Sequence, residues 1–379
     1  MPRESKTLEE ICTLKTGKLD SNAAVAGGQF PFFTCAQETF RIDKAAFDTE
    51  AVLLGGNNAA GIYPLKYFNG EFNAYQRTYV IEAMDRNVLS IRFLYYSLQQ
   101  SLVNFQSMSI GAATQYLTKS LLNNFKIVLP SIGVQNSIGD ILATYDDLIE
   151  NNRRRMALLE ESARLLYREW FVRLRFPGYE HTRIVDGVPQ GWERQSLGEV
   201  TDINQCNMTN TFDGEIEYID IASVTRNSVN ETTTYKFRDA PGRARRVVRH
   251  GDIIWSCVRP NRRSHAVIWQ PAENLVASTG FVVMSPKTLP TSFLYQTVTT
   301  DLFVGYLENH AKGAAYPAVV SGDFERAMIL VPPSALVTSF DDFAEPLLWQ
   351  VQKLRSQNQK LRTARDYLLP RLMSGEVAV

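Results

Sequence analysis

The chain has 379 residues, of which 45% are hydrophobic, and its 40 basic and 40 acidic residues give a formal net charge of zero. This length favours two or three domains, and the hydrophobic content suffices for packed cores. The sequence has no apolar run of 18 residues and no apolar N-terminal segment of the secretory type, so we expect neither a membrane span nor export. The four cysteines lack CxxC spacing, which is typical of a reducing compartment, and we expect a cytoplasmic protein without a metal site.

Residues 1–133 alternate short apolar runs with turns and predict a first globular domain. Runs rich in Val, Ile, Phe and Tyr predict strands at FPFFTC, AVLLGG, TYVIEA and FKIVLP. Leucines at fourfold spacing predict a helix over residues 89–103. Residues 55–61 predict a Gly-rich loop that lacks both the GxGxxG spacing of a dinucleotide site and the lysine of a phosphate-binding loop.

Residues 134–175 predict a long coiled-coil helix, because the apolar positions step by four and three for more than four heptads. At 1.5 Å per residue this seam spans roughly 50 Å, more than a compact domain requires. The predicted seam consists of Ile138, Leu142, Tyr145, Ile149, Asn152, Met156, Leu159, Ala163, Leu166 and Trp170.

Pro and Gly residues end this helix and predict a linker over residues 176–191. Residues 192–332 predict a second globular domain, with strands at 217–221, 252–258, 266–269 and 281–285 and a helix over 292–307. A second long helix is predicted over residues 333–379, in which Pro346 marks a kink or a late start and Arg365 occupies the seam. Its seam consists of Phe340, Ala344, Leu347, Val351, Leu354, Asn358, Leu361, Arg365, Leu368 and Leu372.

The two halves of the chain are related by an internal duplication. Each position of the second seam lies 202 residues after its counterpart in the first. The same offset relates Gly111-Ala112-Ala113 to Gly313-Ala314-Ala315. It drifts to 201 between residues 52–54 and 253–255, and to 189 between residues 8–11 and 197–200, as loops of unequal length require. Order and spacing agree throughout, which disfavours chance similarity between two apolar domains. The sequence predicts an α+β fold in which two pseudo-repeated globular domains are each followed by a long helix.

Local charge differs from the neutral total. Between Arg226 and His265, ten Lys or Arg residues oppose three acids, a local excess of +7. Such a stretch is typical of phosphate contact, and the alternative is a solvated surface paired with acids elsewhere. Asn, Gln and Arg side chains also match the edges of DNA bases. The candidate DNA-binding residues are Lys18, Asn57, Asn58, Arg77 and Gln115 in the first domain and Arg226, Arg243, Arg246, Arg259, Asn261, Arg262, Arg263 and Lys312 in the second.

No catalytic set stands out in the sequence. It contains no NPPY or DPPF tetrapeptide of the kind that amino-methyltransferases use, no GxGxxG, no phosphate-binding loop and no HExxH motif. The four histidines are scattered. These observations favour a binding protein over a stand-alone nuclease or methyltransferase.

The full pattern resembles the specificity subunit of type I restriction–modification systems. The resemblance rests on the first long helix, on FPGYEHTRIVDGVPQGWERQSLGEV, on GDIIWSCVRP and on the terminal QNQKLRTARDYLLPRLMSGEV, and it covers nearly the whole chain. It implies two target recognition domains, each reading half of a split double-stranded DNA site in the major groove. It also implies that the two long helices pack antiparallel as a coiled coil.

The resemblance further implies partner subunits. Two methyltransferase subunits would dock on the long helices, bind S-adenosylmethionine and methylate adenine N6, and two motor-nuclease subunits using ATP and Mg²⁺ would join for cleavage in phage defence. This chain would supply sequence choice and carry no cofactor. Arg153, Arg154 and Arg155 are the candidate partner-binding residues, and Trp170 belongs either to this surface or to the seam. The alternatives are the specificity subunit of a type IIB/IIG-like system and a vestigial coiled-coil scaffold that binds only proteins.

The seams also predict a register for the helix pair. With full antiparallel overlap, the numbers of facing residues sum to about 510, as 138 and 372 do. Asn152 and Asn358 share one layer under this rule, and a buried Asn pair would set the register at some cost in stability. The ~34 Å between half-sites read from one face of DNA is within reach of helices of this length.

Overall fold

The structure is a computed structural model that describes residues 4–58, 62–108 and 115–379. The contacts divide the chain into two compact units. Unit 1 comprises Met1–Asn152 and Gln357–Val379, and unit 2 comprises Arg153–Ser356. Each unit therefore contains a strand-rich portion together with a part of both long helices. The predicted Gly111-Ala112-Ala113 segment and residues 59–61 of the Gly-rich loop lie outside the described residues.

Unit 1 is built on a six-stranded sheet in the order β2-β8-β5-β7-β3-β4, with helix α2 against it. Its strands are β1 (Glu4–Thr7), β2 (Cys12–Thr16), β3 (Phe30–Phe33), β4 (Phe40–Ile42), β5 (Phe47–Gly55), β6 (Asn57–Asn58), β7 (Leu65–Ala74), β8 (Thr78–Ala83), β9 (Gln115–Tyr116) and β10 (Lys126–Leu129). Its helices are α1 (Leu8–Ile11), α2 (Ile91–Met108), α3 (Lys119–Asn123) and the start of α4 (Ile132–Tyr167).

Unit 2 contains two four-stranded sheets, in the orders β14-β23-β20-β21 and β18-β15-β22-β19. Its strands are β11 (Ile184–Val185), β12 (Val188–Pro189), β13 (Glu193–Ser196), β14 (Thr201–Ile203), β15 (Glu215–Ile219), β16 (Val224–Thr225), β17 (Ser228–Val229), β18 (Thr233–Lys236), β19 (Ala244–Val247), β20 (Ile253–Ser256), β21 (His265–Val267), β22 (Leu275–Ser278), β23 (Phe281–Pro286) and β24 (Met328–Val331). Its helices are α5 (Leu197–Val200), α6 (Thr291–Val298), α7 (Asp301–His310), α8 (Ser321–Glu325) and the start of α9 (Ser334–Ser374).

The duplication extends to the register of individual strand pairs. Strand β1 pairs with β10 so that Glu4 faces Leu129, and β13 pairs with β24 so that Glu193 faces Val331. The short helices α1 and α5, which follow β1 and β13, both begin with a capping box. It consists of Thr7 and Glu10 in α1 and of Ser196 and Glu199 in α5. In each box the backbone N–H of the capping residue donates to the glutamate carboxylate at 2.6 Å. The strand pair and the capped turn that follows its first strand are therefore repeated in the two units, at the offsets of 189 and 202.

The long helices pack antiparallel within each unit. In unit 1, Ile138 and Leu142 of α4 share a buried cluster with Leu369 and Leu372 of α9. In unit 2, Ala163, Tyr167 and Phe171 share a buried cluster with Phe340, Ala344 and Leu348. Every predicted seam residue is buried or half-buried, and fully burying one Leu or Phe contributes about 1.5–3 kcal/mol. The mixed α and β content and the long helices agree with the predicted fold class.

Two local predictions, the single helix over 292–307 and the late start at Pro346, require correction, and the predicted linker contains an element of its own. The predicted helix over 292–307 is two helices, because α6 ends at Val298 and the Thr300 hydroxyl caps α7 by accepting from the Phe303 N–H at 3.2 Å. The linker contains a two-residue hairpin between β11 and β12, whose Asp186 and Gly187 both have positive φ, as a type I′ turn requires. Helix α9 begins at Ser334, ahead of Pro346, so this proline does not mark a late start.

Candidate nucleic-acid interface

The basic loop after strand β20 has a strained backbone. Pro260–Arg262 forms a 3-10 turn flanked by Arg259 (φ 51°) and Arg263 (φ 54°), both left-handed. A non-glycine residue in this conformation costs of order 1 kcal/mol, so surrounding contacts must hold it there. Arg263 supplies one such contact, because its Nη2 donates to Asp301 Oδ1 of α7 at 2.5 Å. Asn261 and Arg262 at the turn are exposed.

A second loop of unit 2, residues 311–318, lies beside the first. The Arg259 N–H donates to the Pro317 carbonyl at 2.7 Å, and the Val319 N–H donates to the Cys257 carbonyl at 3.0 Å. Lys312 pairs with Ala318 across the same loop and is exposed. The structure therefore brings five of the candidate residues of unit 2 to one place: Arg259, Asn261, Arg262, Arg263 and Lys312.

Aromatic stacking holds the Arg259 side chain between these loops. Its guanidinium lies over the Tyr316 ring at 4.5 Å from the centroid, and its Nη2 donates to the Ala315 carbonyl at 3.3 Å. Such a cation–π contact contributes about 0.5–1 kcal/mol at an exposed site. Tyr316 itself is 69% exposed.

The remaining basic candidates of unit 2 occupy other positions. Arg226 is exposed and forms a bridge with His265 of β21, next to the strand from which the basic loop leaves. Arg243 precedes strand β19 and is exposed. Arg246 on that strand is half-buried, donates to Asn207 Oδ1 at 2.9 Å, and has a pKa lowered by burial. The stretch with local charge +7 is therefore divided between two sheets.

Unit 1 repeats this loop pairing. Asn57 of β6 faces Tyr116 of β9, and the Leu117 N–H donates to the Gly56 carbonyl at 2.9 Å. These bonds match the bridge between Val258 and Ala318 and the bond from Val319 to Cys257 in unit 2, at the offsets of 201 and 202. The backbones of Asn58 and Gln115 form the adjacent pair.

Two other candidates of unit 1 adjoin this loop pair. The Arg77 guanidinium lies 5.6 Å from the centroid of the Tyr116 ring, and the Arg77 carbonyl accepts from the Gly56 N–H at 2.7 Å. Exposed Lys18 is placed nearby, because the neighbouring Leu19 forms a bridge with Tyr75. Gly17 permits this approach, since a Cβ there would lie 1.7 Å from the Ala74 carbonyl oxygen.

A partly buried series of hydrogen bonds connects strand β21 to the helix pair inside unit 2. His265 Nδ1 lies 3.1 Å from the Tyr295 hydroxyl, which donates to Asn227 Oδ1 at 2.8 Å. Asn227 Nδ2 then donates to Glu160 of α4 at 2.8 Å, and Glu160 accepts from Arg355 of α9 at 2.7 Å. Burial, reinforced by Arg226 and Arg263, lowers the pKa of His265 to about 3, so its imidazole is neutral.

The helix pair of unit 1 contains the asparagine layer. Asn152 Nδ2 donates to Asn358 Oδ1 at 2.9 Å, and Asn358 Nδ2 donates to the Ile149 carbonyl at 3.1 Å. The two residues are 7% and 3% exposed. Their numbers sum to 510, the value expected from the seams.

The seam arginine of unit 1 also has partners. Arg365 pairs with Asp146, and its Nη2 donates to Asp366 at 2.8 Å. Asp146 also accepts from the Tyr96 hydroxyl at 2.7 Å. The charge of Arg365 is thereby balanced within the half-buried seam.

The candidate partner-binding residues Arg153, Arg154 and Arg155 lie on the exposed face of α4. Trp170 is half-buried and packs against the hydrophobic core of unit 2, with its ring centroid 6.4 Å from that of Phe340. Trp170 thus occupies the seam position, and the three arginines face outward.

Across residues 4–58, 62–108 and 115–379, no three His, Cys, Asp or Glu side chains are grouped to hold a metal ion. In the same residues, no helix combines the length and the apolar character that crossing a bilayer requires.

Comparison with known proteins shows similarity to one kind of protein. Residues 2–161 match the family described as the type I restriction modification DNA specificity domain. The chain is 26% identical to the type I restriction enzyme EcoDI specificity subunit of Escherichia coli, over 88% of this chain and 79% of that protein. It is 23% identical to the MjaIX specificity subunit of Methanocaldococcus jannaschii, over 76% of this chain and 69% of that protein. The chain is thus similar to specificity subunits of type I restriction enzymes over most of its length.

The fold is also similar to that of a solved specificity subunit. A crystal structure of the type I restriction–modification S subunit from M. genitalium superposes with a TM-score of 0.64 at 16% identity, covering 98% of this chain and 96% of that one. The resemblance to type I specificity subunits predicted from the sequence is confirmed. The matched family segment, residues 2–161, falls mainly on unit 1, and the repeated strand registers extend the same fold to unit 2.

Two residues of the loop pairs were not among the sequence candidates. Tyr116 and Tyr316 each stack with an arginine, and each follows a Gly-Ala-Ala segment by a few residues. An aromatic residue beside a basic or amide-rich loop is the signal that identifies them, because exposed aromatic rings interleaved with arginine are typical of nucleic-acid contacts.

Proposed function

We propose that this chain is the DNA-recognition subunit of a type I restriction–modification complex and that it reads a bipartite target. One observation carries the proposal. Both units present a pair of loops, joined by equivalent backbone hydrogen bonds, and both loop pairs carry basic and amide side chains. Two copies of one recognition unit are the arrangement that a target of two half-sites requires.

In this proposal the chain acts through partners. Two methyltransferase subunits bind the outward face of the long helices, including Arg153, Arg154 and Arg155, and methylate adenine with S-adenosylmethionine. Motor-nuclease subunits that use ATP and Mg²⁺ join the same complex in the cytoplasm. This protein contributes target choice. The partly buried series of hydrogen bonds from Arg355 to His265 connects strand β21, next to the basic loop, to the helix pair.

The competing function is a scaffold that binds only proteins, and salt dependence distinguishes the two. The complex of this chain with its methyltransferase subunit is titrated with duplex DNA at several salt concentrations. Contacts to Z phosphates give a slope of log K against log salt of about −0.9Z. We expect Lys312→Ala to reduce this slope by about 1, as loss of one phosphate contact does.

Arg183→Ala is the matched control, because it removes the same charge from an exposed position in the linker hairpin. We expect this variant to leave the slope unchanged. A complex that forms stably and yet binds duplex DNA with no salt dependence would favour the scaffold.

A further inference from the structure

The two loop pairs provide the same platform from equivalent backbones. In unit 2 the bond from the Val319 N–H to the Cys257 carbonyl joins the loops, and in unit 1 the bond from Leu117 to Gly56 does so. The residues that follow these anchors are therefore placed alike within their own units. This equivalence allows the side chains on the two platforms to be compared directly.

Each platform carries an arginine stacked on a tyrosine. In unit 2, Arg259 lies 4.5 Å from the centroid of Tyr316, and in unit 1, Arg77 lies 5.6 Å from that of Tyr116. Tyr116 is equivalent to Ala318 at the offset of 202, so the tyrosines stand at different positions of the repeat. The arginines also differ, because Arg259 follows strand β20 whereas Arg77 precedes strand β8. The duplication alone does not account for this shared pair.

The Arg259 guanidinium of unit 2 retains N–H donors that can bind a further acceptor. Among the described residues, the Arg259 guanidinium makes one hydrogen bond, from Nη2 to the Ala315 carbonyl. Its other N–H donors have no protein partner there. The Tyr316 ring on which the guanidinium stacks is 69% exposed, although burying an aromatic ring lowers the free energy of the folded protein. An arginine that is fixed by stacking and by one bond loses little side-chain entropy when it forms two further bonds.

We infer that Arg259, positioned by Tyr316, reads one guanine in the half-site of unit 2 through two hydrogen bonds to O6 and N7, and that Arg77 on Tyr116 reads a guanine in the half-site of unit 1. Guanine is the base whose major-groove edge presents two acceptors to an arginine fork. The inference rests on the proposed function. It adds the base, the reading residue and the tyrosine that positions it.

The strained backbone of unit 2 supports this assignment. Arg259 and Arg263 hold left-handed conformations on both sides of the turn, and Arg263 is secured by Asp301. Strain of this kind persists only where the surrounding structure holds it, and it is more frequent at functional sites than elsewhere. Arg262, between them, is exposed, so the same loop provides a matched arginine of equal charge.

The test couples a protein variant to a base analogue. The complex with its methyltransferase is offered duplexes that contain its own methylation motif, with each guanine in turn replaced by 7-deazaguanine, which lacks the N7 acceptor. We expect the wild-type complex to lose roughly 5- to 150-fold in specific binding at one guanine of the half-site of unit 2. Arg259→Met has no donor for N7. This variant should therefore already show the loss on the unmodified duplex, and replacing that one guanine with 7-deazaguanine should weaken its binding no further.

The tyrosine and the neighbouring arginine complete the design. Tyr316→Ala should lose most of the sensitivity to 7-deazaguanine while its non-specific DNA binding is unchanged. Tyr316→Phe keeps the aromatic ring, so both properties should be as in the wild type. Arg262→Met, the matched control, should keep the full sensitivity to 7-deazaguanine at every position. The corresponding pair of variants in unit 1 is Arg77→Met and Tyr116→Phe.

The outcomes separate the two levels of the proposal. If the complex methylates a specific motif but the effect of the Arg259 variant depends on no guanine N7, the inference alone is overturned. If the Arg259 variant loses affinity equally for all DNA sequences and has a smaller salt slope, Arg259 contacts a phosphate, which also overturns the inference. A wild-type complex that assembles with its methyltransferase but methylates no defined motif would overturn the proposed function and the inference together.

Discussion

Replacing one member of the buried asparagine pair tests how the helix pair of unit 1 is held. Asn358→Leu leaves the Asn152 amide without its 2.9 Å acceptor at a site that is 7% exposed. An unsatisfied buried amide costs about 1–3 kcal/mol, whereas replacing both partners with apolar groups is nearly neutral or stabilising. We therefore expect Asn358→Leu to lower the local unfolding free energy by that amount. The double variant Asn152→Leu/Asn358→Leu should recover most of the loss.

Amide hydrogen exchange is the appropriate assay, because a chain of two units need not unfold in a single step. Protection is compared in peptides that cover residues 146–156 and 352–362. The double-mutant cycle should give a coupling of about 0.5–3 kcal/mol. Single variants that change protection by less than 0.5 kcal/mol, with no coupling, would refute the view that this layer is a desolvated hydrogen-bonded pair.

Three further predictions concern titration, backbone space and charge pairing. The pKa of His265 is about 3 in the folded chain and 6.5 when unperturbed, so the unfolded chain binds a proton that the folded chain excludes. Stability should fall below pH 6.5 by up to ~1.4 kcal/mol per pH unit, and His265→Gln should flatten urea-midpoint profiles between pH 7 and pH 5. Gly17→Ala should lower the melting temperature of unit 1, since its Cβ would meet a backbone carbonyl. Gly133→Ala has open space in α4 and should raise the melting temperature slightly. Equal shifts of the melting temperature in calorimetry would contradict this prediction. Arg365→Met should lower the unfolding free energy of unit 1 by roughly 1–3 kcal/mol, because it leaves Asp146 without its cation. Adding Asp146→Asn should recover part of that loss. If hydrogen exchange shows that the two effects are additive, the pairing is not supported.

The long helices and the duplication were predictable because their signals are periodic and local. A heptad seam repeats one chemical choice many times, so the register that places Asn152 beside Asn358 follows from residue numbers alone. The capped turns after β1 and β13 likewise appear in the sequence as Thr7 with Glu10 and Ser196 with Glu199.

The loop platforms were only partly predictable. The sequence named Arg77 and Arg259 as candidates. Their stacking on Tyr116 and Tyr316 joins residues that are far apart in the chain and have no common spacing, so it could not be predicted. The break between α6 and α7 was missed for a local reason. The apolar pattern continues across it, and a threonine cap at Thr300 outweighs that pattern.

The central claim is that this chain chooses a DNA target of two parts for a methyltransferase. Its most direct test is a long-read methylome of cells that carry the methyltransferase subunit encoded with this chain, with and without the chain itself. The account predicts a bipartite adenine-methylated motif that appears only when the chain is present. A methyltransferase that is expressed and soluble, and forms a complex with this chain, yet yields no new motif would contradict it.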